Sequence, residues 1–186
     1  MASSYSTDLK LELMVTGENS GTWGDKTNTN LNLLQQAIAG YQEVSIAGGV
    51  QTTALAMTDA AISNARNAVI KFTGTITGNQ TVTIPSGIEK TYTIYNGTTG
   101  AFTVQFKTVS GTGPTFSTTD KGIKLVYSNG TDVIDVNANI NTINQFTLPA
   151  SDGTSGQALQ TDGSGNLSFS GPYATNGKAI AFAIVF

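Results

Sequence analysis

Asp132 and Asp135 are the nearest thing in this 186-residue chain to a catalytic pair. Two carboxyl groups flanking a glycosidic bond can cleave it, one as acid and one as base or nucleophile. Three residues apart on a strand, however, these two point to opposite faces. Two Asp-Gly turns, at 152–156 and 162–166, offer oxygens to a cation. They lack the alternating aspartates and closing glutamate of an EF-hand loop, so they read as turns. The glycines at 74 and 78 frame Thr-Ile-Thr, with no Gly-Lys-Ser/Thr and no helix behind them to hold a phosphate. Tyr92, Tyr95, Tyr127, Phe102 and Phe106 could form a sugar platform, but alternation turns most of them inward and leaves Tyr95 outward. The chain has no histidine and no cysteine. That removes imidazole acid–base chemistry, histidine triads, Cys/His zinc sites and disulfides. The residues therefore predict no catalytic set, no cofactor and no metal, and a protein that is not an enzyme.

Composition points to a different kind of protein. Charged residues make up 11% of the chain and apolar residues 39%, against about 25% and 45–50% in ordinary globular domains. Thr, Ser, Asn and Gly fill the gap, which favours strands and tight turns. The net charge is −3, and the nine cations are scattered, which argues against nucleic acid as a partner. No positively charged, then apolar, leader opens the chain, and no apolar run is long enough for a membrane helix.

The pattern along the chain predicts a mainly β protein in three parts. Residues 1–42 read as an anchoring arm and helix. Leu9, Leu11 and Leu13 alternate with charged residues, as in a strand with one apolar face. Gly17, Gly21 and Gly24 punctuate a loop holding the single tryptophan, Trp23, which should pack against apolar surface. Asp25–Asn28 supply helix N-cap candidates. Leu31, Leu34, Ala37 and Ile38 fall on one helical face, and Gly40 stops the helix. Residues 43–138 read as an antiparallel β-sandwich of jelly-roll or Greek-key type, with strands at 43–47, 53–57, 68–73, 81–84, 91–95, 102–107, 123–127 and 132–136. Asn129-Gly130 marks a hairpin, and a short helical turn fits 59–67. Residues 139–186 read as a linker and a turn–strand, shaft-like segment suited to intertwined chains. The apolar run 179–186 predicts either a strand buried in an oligomer or a chain that continues further.

Three stretches resemble proteins of tailed bacteriophages: Tyr5–Leu13, Thr16–Gly24 with its Gly-Glu-Asn-Ser-Gly-Thr-Trp-Gly pattern, and Thr27–Leu31. They are similar to the start of tail-fibre and baseplate-associated proteins of marine phages. The turns at 84–87, 95–98 and 128–132 and the Gly153–Gly163 linker are similar to phage fibre segments as well. The resemblance implies a virion structural protein made in the host cytoplasm: a homotrimeric tail fibre anchored by its N-terminal region to a tail adaptor, nozzle or baseplate protein. It also implies a distal part that meets a host surface glycan or receptor. The anchoring residues expected on this reading are Leu9, Leu11, Leu13, Trp23, Leu31, Leu34 and Ile38. The rival readings are a non-catalytic glycan-binding sandwich, a capsid decoration protein and a polysaccharide depolymerase fragment.

Overall fold

The computed structural model describes residues 3–138, 142–143 and 146–171. The chain divides into two compact units, residues 1–137 and 138–186. In the first unit, β1 (Ser4–Tyr5) and β2 (Glu12–Leu13) form a small hairpin, followed by α1 (Trp23–Ala39). Nine strands come next: β3 (Tyr41–Ser45), β4 (Gln51–Ala54), β5 (Val69–Thr73), β6 (Gln80–Ile84), β7 (Glu89–Asn96), β8 (Val104–Thr108), β9 (Thr115–Phe116), β10 (Ile123–Asn129) and β11 (Val133–Asp135). A 3-10 turn at Asn64–Arg66 lies between β4 and β5.

These strands build two sheets, one in the order β11-β10-β7-β5-β3 and the other in the order β4-β6-β8-β9. The mainly β, sandwich-like architecture expected from the sequence is present. The pairing within it is mixed, not antiparallel throughout. From β3 to β8, successive strands fall alternately in the two sheets and lie parallel to their sheet neighbours. Tyr41 pairs with Val69 and Val69 with Thr93, so the chain returns to the same place after 28 and then 24 residues. The architecture is thus a stack of flattened coils, closed by antiparallel β9, β10 and β11. A jelly roll is antiparallel, whereas here β3-β5-β7 and β4-β6-β8 pair in parallel.

Inward residues of both sheets make one core. Ile70, Phe72, Tyr92, Ile94 and Val126 come from one side, and Val82, Ile84, Val104, Phe106 and Phe116 from the other. Phe106 joins the layers, its ring 6.0 Å from Phe72 and edge-on to Tyr92 at 5.7 Å. Such contacts add to area burial because the edge of one ring is positive and the face of the next negative.

The corners must let one coil sit on another. Backbone bridges join Gly48 to Ile76 and Thr75 to Thr99 across the stack. Gly74 turns the chain at φ +104°, and a Cβ there would collide with Ala47. Gly100, at φ +101°, would collide with the Ile76 carbonyl. Gln80 fills the same corner, donating to the carbonyls of Gly48, Gly49 and Gly78. The first coil differs from the others in the long return between β4 and β5, which houses the 3-10 turn expected near 59–67.

In the second unit, β12 (Thr142–Ile143) pairs with β13 (Phe146–Thr147), and β14 (Leu159–Thr161) with β15 (Leu167–Phe169). The turn at 162–166 closes on its aspartate: Asp162 accepts from the Ser164 and Asn166 backbone N–H groups at 2.7 and 3.0 Å. The run 179–186 lies outside the described residues.

Candidate functional site

The arm and α1 form a clamped assembly at one end of the first unit. Asn30 is its centre. The Glu12 N–H donates to Asn30 Oδ1 at 3.0 Å, and Asn30 Nδ2 donates back to the Glu12 carbonyl at 2.9 Å. A side-chain amide on the helix thereby pairs with a strand as another strand would. The Glu12 carboxylate turns under the arm, where it meets Lys26 Nζ at 3.0 Å and accepts from Ser3 Oγ at 2.8 Å. Lys26 and then Ser3 hold the Glu12 carboxyl below its ordinary pKa, and the same contact raises that of Lys26.

Arg66 ties this assembly to the coils. It is fully buried. Its Nε donates to the Leu9 carbonyl at 3.0 Å, and its other nitrogens reach the Thr58 and Ala61 carbonyls, Ser63 Oγ and Gln36 Oε1. One guanidinium thus joins the arm, the helix and the long return of the first coil. Its burial lowers its pKa from the ordinary arginine value. Ala60 N–H donates to the Lys10 carbonyl at 2.8 Å beside it, and Asp8 accepts from the Glu89 N–H.

This geometry corrects several sequence expectations. Residues 8–15 do not form one strand. Lys10 takes φ +54°, so the chain turns there, and only Glu12–Leu13 pairs, with Ser4–Tyr5. Leu9 and Leu11 become half-buried beside that turn, while Leu13 is exposed. Trp23 does not anchor the loop against apolar surface: it begins α1 and stands 62% exposed. The helix starts before the expected caps, with Thr22 at the N-cap and no side-chain cap bond. Gly40 ends it as expected, but in an extended conformation rather than a left-handed one. Glycine is required there because a Cβ would strike the Gln36 carbonyl and the Asn67 side chain.

The helix buries Leu33, which lies off the face chosen from the sequence. Of that face, Leu34 is half-buried, Leu31 is exposed and Ile38 is 77% exposed. Trp23, Leu31 and Ile38 therefore stand as apolar side chains on the outer side of the clamp. Asn30 and Arg66, which hold the clamp together, escaped the sequence reading. Thr-Asn-Thr-Asn looks like capping chemistry, and a lone arginine looks like a surface charge.

The carboxylates with possible chemistry have structural partners. Asp132 accepts from the Thr112 backbone and hydroxyl at 2.6 and 2.9 Å, and Asp135 meets Lys124 at 3.2 Å. Lys71 lies over the outward Tyr95 ring, 5.6 Å from its centroid. Among the described residues, no group of three or more acidic side chains is placed to hold a metal ion. No helix of the described residues is long and apolar enough to cross a membrane. No protein-family model, curated protein or solved structure matches the chain.

Proposed function

We propose that this chain is a non-enzymatic structural component of a bacteriophage tail: a homotrimeric fibre protein anchored to the tail through residues 1–42. The observation that carries this reading is the exposed apolar face of a helix already fixed on its other side. Leu31, Leu34 and Ile38 follow the i, i+3, i+7 spacing of a helix–helix seam. Burying a large apolar side chain is worth about 1.5–3 kcal/mol. A contact at Leu31, Ile38 and Trp23 therefore has enough driving force to matter. The clamp of Asn30, Glu12 and Lys26 holds the arm and helix in place before the contact forms, which lowers the ordering cost. The resemblance of the Gly17–Leu31 stretch to phage fibre proteins supplies the biological setting. On this reading the mechanism is mechanical: the arm and helix dock, and the coil stack spaces and orients the distal parts that meet the host.

The test uses Leu31→Glu with Ile38→Glu, both at exposed positions where the fold tolerates charge. The expected outcome is a trimer, or a paired trimer, by sedimentation for the parent chain, loss of the threefold assembly in the variant, and failed incorporation into particles. A parent chain that stays monomeric, or a variant incorporated as well as the parent, would sink the proposal.

A further inference from the structure

The two outer faces of the coil stack differ in chemistry. Across the four-stranded sheet, the outward row is Thr52, Thr81, Gln105 and Thr115, the polar surface expected of a sheet facing water. Across the five-stranded sheet, the register brings Tyr41 into line with Val69, Thr93 and Leu125. The next rows add Ile123 beside Tyr95, and Tyr127 beside Ile134. Tyr41, Ile123, Leu125, Tyr127, Ile134 and Val136 are all exposed, Ile123 by 65%. Polar Thr93 and the Glu43–Lys71 pair interrupt the rows, but so many exposed large apolar side chains are unusual on a sheet that meets only solvent.

We infer that this face is covered by the same face of a second copy of the chain. Charge favours an identical occupant. Inside its rim the face has one cation and one anion, Lys71 on β5 and Glu43 on the edge strand β3; they lie to one side and are already paired at 2.9 Å, with Tyr41 donating to the same carboxylate at 2.7 Å. Glu89 stands at the rim, on the first residue of β7. Two such faces meet without like charges opposed at their centre, whereas an acidic or basic partner finds no complementary field. Size is compatible too. Five strands spaced about 4.8 Å apart and up to about 25 Å long project roughly 500 Å² before side-chain relief is counted. A stable contact takes about 800 Å² of accessible surface from each partner. This contact is isologous, joining two chains, and it centres on the strands β7, β10 and β11, not on α1.

The experiment isolates it in the full chain carrying Leu31→Glu and Ile38→Glu, where helix contacts are removed. Sedimentation equilibrium should show a dimer. Adding Leu125→Lys and Ile134→Lys should raise its dissociation constant at least ~10-fold, the effect of losing central apolar contacts, with an unchanged β-sheet circular dichroism spectrum. The absence of cysteine allows a second readout that needs no disruptive charge: Ile123→Cys carrying a donor dye in one batch and an acceptor in another should give energy transfer on mixing that dilution abolishes. A monomer throughout, an unchanged dimer in the lysine variant, or no energy transfer would each overturn the inference. In the parent chain a sheet contact joins helix-held trimers in pairs, so three or six chains there both fit the helix reading, and only the variants above read the sheet.

Discussion

Arg66 carries a charge into the interior and satisfies it with carbonyl oxygens, an amide and a hydroxyl. Replacing it with methionine keeps much of the volume but strips donors from one buried and several part-buried acceptors. A buried acceptor left unpaired costs about 1–3 kcal/mol and water can reach the others, so Arg66→Met should lose about 2 kcal/mol in a urea titration. It should also free the arm, seen as faster cleavage at Lys10 by trypsin. Glu12 and Lys26 give the arm a pH window. The Glu12 pKa is depressed, so its contribution is complete above the ordinary carboxylate range and lost as pH falls through the lowered value. The Lys26 pKa is raised, so its contribution is lost only as pH rises through that higher value. Protection of the arm amides, taken relative to intrinsic exchange at each pH, should therefore fall on acidification. In Glu12→Gln it should already be low at neutral pH and change little below it. None of this was legible in the sequence, because a buried arginine and a buried glutamate look like any other charge until their partners, 57 and 14 residues away, are placed.

At the scale of the elements, the strands themselves were legible. Val69–Thr73, Gln80–Ile84 and Val104–Thr108 alternate cleanly, and their inward residues form the observed core. Asn129-Gly130 made the β10–β11 hairpin readable, and the Asn129 side chain accepts from the Thr131 and Asp132 N–H groups within it. What could not be read was which strands pair. A hairpin announces itself through two or three turn residues, but a parallel partner arrives a full coil later with no local signal. Glycines at 74 and 100 read only as turn punctuation, although their close backbone contacts are the trace of stacking. Gly74→Ala should cost at least ~1 kcal/mol, through both the positive φ and the collision with Ala47. Phe106→Ala, which opens the junction between the sheets, should cost about 3–5 kcal/mol. Thermal unfolding followed by circular dichroism would measure both. Period put Leu31, Leu34, Ala37 and Ile38 on one face of α1 but carried no signal that Leu33, off that face, is the side chain the helix buries.

For the whole molecule, the two exposed apolar surfaces are proposed to serve different assemblies. The helix proposal predicts a mass that changes with Leu31 and Ile38. The sheet inference predicts one that changes with Leu125 and Ile134. A double set of variants separates them, and the departure from additivity measures any coupling through Tyr41, which borders α1.

The stacked coils have an evolutionary consequence. A domain assembled this way can change length by whole turns. Duplicating the segment from β5 to β6 would add one strand to each sheet and lengthen the stack by about 4.8 Å while leaving the neighbouring pairings intact. The unequal returns of 28 and 24 residues show that coils of different length stack in one sheet. The longer one carries the arginine that grips the arm. Duplication of whole coils in such a protein would therefore act as a ruler, adjusting reach in fixed steps without redesigning either end.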